Sequence, residues 1–157
     1  MKTKVYTQPA GCFKTYRMAT GRVLTSQGLI EDPTVNGIMQ EAVAVQMKAL
    51  NITAAGKSAE MEVRFMGGTG AGLQTDDLMA GDVAIWNIGG AAAVPGRTYK
   101  KSSLVMGVVD NRSNQTVWAA RYMDNFGDPN KLRERIQNAV AKAFAKFPKN
   151  FGCTSGT

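Results

Sequence analysis

Residues 59–66, AEMEVRFM, alternate between apolar and charged positions. Met61, Val63 and Phe65 fall one way and Glu60, Glu62 and Arg64 the other, which predicts a strand with one wet face. CFKTYRMAT (12–20) is rich in strand formers, with Phe13, Thr15 and Tyr16, and DVAIWNI (82–88) reads as another strand. SSLVMGVVD (102–110) is apolar on both alternating faces at its centre, as in a sheet that is covered. QTVWAARYMD (115–124) puts Trp118, Ala120 and Tyr122 on one face. The turn formers of DNRSNQ join these last two segments into a hairpin with a loop longer than two residues.

Two segments change the period from two to between three and four. SQGLIEDP breaks the first strand region, and Asp32–Pro33 then opens a helix. An aspartate accepts from the free N–H groups of a first turn, and proline fits there without losing a hydrogen bond. That helix is expected to run to about Leu50, with Val35, Ile38, Met39, Ala42, Val45 and Ala49 as its apolar stripe. Gln40, Glu41 and Lys48 fall off the stripe and face water. A second Asp-Pro pair, Asp128–Pro129, precedes Leu132, Ile136, Val140 and Phe144, flanked by Ala139 and Ala143. This predicts an amphipathic helix to about Phe147, stopped by Pro148. The expected fold class is α+β: one mainly antiparallel sheet of four to five strands, with two helices packed on one face.

Two glycine-rich stretches separate the strands, about 67–81 and 89–99, and both are expected to be loops. GGTGAG (67–72) fails the dinucleotide-loop spacing, because a third glycine counted from Gly68 falls at Leu73 and no helical pattern follows. NITAAGKS (51–58) ends like an ATP-binding loop. However, Asn51 stands where the first glycine belongs, and the stretch follows a helix and precedes a strand, the reverse of a P-loop. It is expected to be a connection in which Gly56 turns and Lys57 and Ser58 are solvated.

Composition then narrows the chemistry. At 157 residues and 44% hydrophobic, residues 1–157 suit one domain with a core, and no apolar run is long enough to span a membrane as a helix. With no histidine, the Ser-His-Asp and Cys-His arrangements and histidine metal sites are excluded. The N-terminus, MKTKVYTQPAGC, carries two lysines but no apolar leader core. It therefore reads as either a cytosolic chain or a mature form whose leader has been removed. PAGC resembles the end of a lipoprotein cleavage site, but without the apolar core Cys12 is read as an ordinary cysteine. Cys12 and Cys153 sit near opposite ends, and a bridge would close a loop of roughly 140 residues and stabilise by about 4–5 kcal/mol. Two free thiols are the alternative. The closeness of termini in compact domains favours the bridge.

The net charge of +7 admits nucleic acid, anionic lipid or another acidic surface as partner. Lys131, Arg135, Lys142 and Lys146 share the outer face of the closing helix and form the candidate anion-facing surface, against the ordinary reading of a solvated helix face. Asp76, Asp77 and Asp82 read as a solvated acidic turn, and DNFGDPN (124–130) lacks the twelve-residue calcium-loop spacing. Trp118 and Tyr122 are expected in the core rather than stacking on a ligand. The nine methionines read as an adaptable core. NIT, NRS and NQT match the glycosylation triplet by chance. No cofactor, metal or catalytic residue is expected.

In order, these segments resemble a known family: exported bacterial proteins, often lipoproteins, carrying the domain of unknown function 4136. FKTYRM (13–18), EDP before a helix, and YKKSSLVMGVVDNRSNQTVWAARYMD (99–124) each have a counterpart there, as does RIQNAVAKAFAKFP (135–148). Ser102–Ser103 stand where Gly-Thr is usual, and Ala119–Ala120 where Arg-Gly is common. The resemblance implies a Gram-negative periplasm or outer-membrane association and strengthens the case for the Cys12–Cys153 bridge. It implies no activity and no site residues. The expected function is an exported, non-enzymatic envelope protein that binds or assembles, with an envelope protein, a lipid or another anionic surface as partner. A small-ligand or lipid carrier, with a pocket between sheet and helices, is one alternative. A cytosolic nucleic-acid-binding module is the other.

Overall fold

A computed structural model describes residues 2–25, 28–69, 102–124 and 130–153. In chain order these form β1 (Lys2–Val5), β2 (Thr15–Met18), β3 (Arg22–Thr25), β4 (Gly28–Ile30), α1 (Pro33–Ala49), β5 (Thr53–Ala54), β6 (Met61–Thr69), β7 (Ser102–Asp110), β8 (Gln115–Asp124) and α2 (Leu132–Ala145). One 3-10 turn, Lys149–Phe151, follows α2. The expected strand over 82–88, the loop over 89–99, most of that over 67–81, and the Asp128–Pro129 helix start lie outside the described residues.

The α+β class holds, but the sheet is mixed rather than mainly antiparallel, and it has eight strands among the described residues. β1, β8, β7 and β6 are antiparallel neighbours. β2 and β3 both run parallel to β6, one after the other along the same edge. The short β5 then pairs parallel to β2, and β4 pairs antiparallel to β3. The strands beyond the expected set are two to four residues long, too short to show a two-residue period. The Gly67–Gly68 start of the expected first loop is the end of β6, paired with Leu104 and Ser103. Glycine without a side chain does not signal a strand, yet it accepts one from a neighbour's ladder.

α1 is capped as expected: the Asp32 carboxylate accepts from Thr34 N at 2.9 Å and Val35 N at 3.2 Å, with Pro33 in the first turn. Its buried stripe is Asn36, Ile38, Met39, Ala42, Val43 and Met47. Val45, expected inside, is 65% exposed, and Ala49 is exposed too. Val43 and Val45 are equally apolar and 200° apart on a helix, so only one can face the sheet. Met39, Val43 and Met47, at steps of four, set the choice.

The core lies between the helices and one sheet face. Met61, Val63 and Phe65 of β6, Leu104, Met106 and Val108 of β7, and Val117, Trp118 and Ala120 of β8 meet the buried residues of α1 and α2 there. Trp118 is fully buried, with its ring centroid 5.5 Å from Phe144 and 5.1 Å from Phe147. Edge-to-face aromatic packing of this kind adds to simple burial. The opposite face of β6 is not simply wet. Glu62 lies there, 8% exposed, with one oxygen 2.7 Å from Arg17 Nε and the other 2.7 Å from Arg64 Nε. Burial raises the pKa of its carboxyl, but the two guanidiniums outweigh that and hold it below the ordinary range.

Candidate functional site

β2 carries two very different ends. At its start, Phe13 N donates to Phe151 O at 2.7 Å and Cys153 N donates to Phe13 O at 3.1 Å. The Cys12–Cys153 disulfide, 141 residues apart in sequence, is present alongside. Arg112, from the turn between β7 and β8, reaches across. Its guanidinium donates to Gly11 O at 2.6 Å and Cys12 O at 3.1 Å, and its centre stands 4.9 Å from the Phe13 ring. Asp110 is fully buried below it and accepts from Ala10 N at 2.7 Å, Arg112 N at 2.9 Å and Arg112 Nε at 3.0 Å. Burial pushes the Asp110 carboxyl up, but the Arg112 and backbone donors outweigh it, so its pKa is lowered. Glu60 closes the corner, accepting from Lys14 N at 2.7 Å and lying 3.4 Å from Arg112 Nη1.

The far end of β2 is a groove of about 510 Å³, lined by Tyr16, Arg17, Met18, Gln40, Ala54, Ala55, Gly56 and Lys57. The NITAAGKS stretch thus contributes not a phosphate loop but one wall of this groove. Tyr16 is largely buried, which pushes its phenol pKa up. Arg17 Nη1 donates to Lys57 O at 3.2 Å, so the two cations share one rim. Immediately past the groove the chain is pinned at Gly21. Gly21 N donates to Asn36 Oδ1 at 2.8 Å, and Asn36 Nδ2 donates to Gly21 O at 3.0 Å. A Cβ on Gly21 would sit 2.3 Å from the Phe65 ring, so only glycine fits.

The remaining sequence-predicted residues are placed as follows. Lys131 and Lys146 flank α2 as its cap residues, and both are exposed. Arg135 and Lys142 lie on the helix between them. Lys142 turns to the sheet, donating to Tyr122 Oη at 3.1 Å with its ammonium 5.2 Å from that ring's centre. Trp118 is buried in the core as expected, and Tyr122 is half-buried against it. Asp76, Asp77, Asp82 and most of DNFGDPN lie outside the described residues. Among the described residues no cluster of three or more acidic, cysteine or histidine side chains could hold a metal, and no helix is long and apolar enough to cross a membrane.

Pattern reading missed Asp110, Arg112, Asn36 and Gly21. Each acts through a partner on a distant segment. The nearest signal was Asp110 directly at the end of an apolar strand.

The structure is similar to several solved ones. A DUF4136 family protein from Bacteroides thetaiotaomicron VPI-5482 matches with a TM-score of 0.62 and 14% identity, over 96% of this chain and 97% of that one. A PDZ domain protein from Parabacteroides distasonis ATCC 8503 matches with a TM-score of 0.59 and 11% identity, over 94% of this chain but only 35% of that one. The PelC dodecamer from Paraburkholderia phytofirmans matches with a TM-score of 0.53 and 10% identity, over 98% of this chain and 99% of that one. At these identities the likeness is one of fold. No curated protein matches the sequence. The model of the domain of unknown function DUF4136 matches residues 6–149, so nearly the whole chain, from the fastened corner through both helices, belongs to the DUF4136 family.

Proposed function

We propose that this chain is an exported envelope protein that works by binding or assembly rather than by catalysis. The Cys12–Cys153 disulfide carries the reading, because a structural bridge across the whole chain persists in oxidising compartments and is rare in a reducing cytosol. The absence of histidine and the use of Asp110, Glu62 and Asn36 as structural fasteners support a non-catalytic role. The basic rim of α2, with Lys131 and Lys146 exposed, favours an acidic counterpart. PelC, of similar fold, forms a dodecamer, and assembly of this chain belongs to the same proposal.

The test is thiol alkylation of the protein recovered from fractionated native cells, before and after reduction. Export predicts an envelope fraction in which Cys12 and Cys153 react only after reduction. Free thiols in a cytosolic fraction would sink the reading, and retention on a polyanion, falling steeply with salt, would then favour nucleic acid.

A further inference from the structure

The outer row of the sheet, beyond β2 and β3, is interrupted. β5 pairs with Thr15 and Tyr16, and β4 pairs with Val23, Leu24 and Thr25. Between them, among the described residues, no strand pairs with β2 on that side. Backbone alternation shows which residue is left facing the gap. Thr53 N donates to Lys14 O at 2.9 Å and Ala55 N to Tyr16 O at 2.8 Å, so even-numbered residues point toward β5. Ala19 N donates to Val63 O at 2.9 Å, so odd-numbered residues point toward β6. Met18 therefore directs its N–H and C=O outward, where the β5 ladder has already stopped.

Gly21, three residues on, shows how this fold closes such an opening. The Asn36 side-chain amide donates to one backbone group and accepts from the other, as a neighbouring strand would. Among the described residues nothing equivalent stands at Met18, and the groove lies there instead. Among the described residues its lining includes two cations, Arg17, which is paired with Glu62, and Lys57, and no carboxylate. Gln40, exposed on α1, adds a polar side chain that reads a backbone or side chain.

We propose that this gap receives an extended peptide segment of a partner protein, which continues the line of β5 along Met18 and places an acidic side chain beside Lys57. The open rung supplies backbone hydrogen bonds, and the rim supplies the choice of charge. The inference rests on the binding role proposed above and gives that role a site and a partner chemistry. The thiol test reads location alone, so the two fail separately.

The experiment follows backbone amide signals of the 15N-labelled protein. Hydrogen exchange in the free protein comes first: Met18 N–H should exchange quickly and Ala19 N–H slowly, and a protected Met18 would overturn the proposal. The protein is then titrated with the peptide Thr-Val-Glu-Val-Thr, with its Glu-to-Lys version, and with a version N-methylated at the central residues. The acidic peptide should shift Met18, Ala55 and Gly56 and slow Met18 exchange, and the other two should not. Lys57→Glu should weaken binding about tenfold, and Met18→Pro, which removes the outward N–H together with a side chain packed on the core, should abolish it, while Met18→Leu, which keeps the N–H and the packing, should bind as the native protein does. Shifts equal for acidic and lysine peptides, or no shift at millimolar peptide, would refute it. Concentration-dependent shifts of the same amides without peptide would identify a second copy of this chain as the occupant, and the partner-peptide proposal would fall.

Discussion

The two ends of β2 are a few residues apart and are finished in opposite ways. At Cys12–Lys14 the backbone is held by a disulfide, the strand-like Phe13–Gly152 bridge, an arginine laid over a phenylalanine ring, and two carboxylates. At Met18 the ladder stops and a groove begins. Side chains fasten the chain where Cys12 and Cys153 meet and, among the described residues, leave open a stretch of edge that the same chemistry could have closed, as Asn36 does at Gly21. The contrast separates residues that keep the fold from residues that, on the proposal above, meet a partner.

Breaking the closed corner should have the largest effects. Serine at both Cys12 and Cys153 is expected to cost about 4 kcal/mol, measured by urea unfolding of the variant against the oxidised protein. Asp110→Asn should cost on the order of 3 kcal/mol, because Arg112 keeps its charge beside a neutral, fully buried amide. This variant also carries a pH signature. The pKa of Asp110 is lowered in the folded state, so its contribution is complete above the unfolded-state value of about 4 and is lost as pH falls below that. The urea midpoint of the native protein should thus drop between pH 5 and pH 2.5, and Asp110→Asn should flatten that drop, leaving the part due to Glu62, whose pKa is also lowered. An unchanged pH profile would remove Asp110 from the corner's chemistry.

At the boundary between the two regions, Asn36→Ala should cost about 2 kcal/mol, since it leaves both backbone groups of Gly21 unpaired. Thermal unfolding is sufficient to see it. Gly21→Ala should cost a similar amount by forcing the Phe65 ring aside, about 1–3 kcal/mol. Inside the gap the expectation reverses: Lys57→Glu should change stability by no more than about 0.5 kcal/mol. A loss of several kcal/mol there would mean that the open end is a structural element as well.

The long elements were legible from the chain. β7 and β8 have the expected bounds, α1 starts at the expected Asp32–Pro33 pair, and Trp118 is in the core. Local pattern suffices where one face of a long segment is buried. It failed for β3, β4 and β5, whose pairing is decided by β6 and β2 rather than by their own composition. Val45 shows the same limit on a helix, since two apolar residues competed for one stripe and contacts with the sheet decided. The candidate site was the least legible part. NITAAGKS drew attention as a failed phosphate loop, yet its position beside the end of β2 depends on a parallel pairing that no spacing announces. The basic residues of α2 were visible as a face, but the turn of Lys142 to Tyr122 depends on which strand lies beneath.

The bond between Cys12 and Cys153 has a consequence for proteolysis. It makes the covalent chain between those residues a closed ring. One cut within the ring opens the ring without producing two molecules, so a nicked protein keeps its mass plus one water until it is reduced. A protease in the same compartment would have to cut the ring twice to release a fragment from it, and that fragment would still have to peel away from the shared sheet.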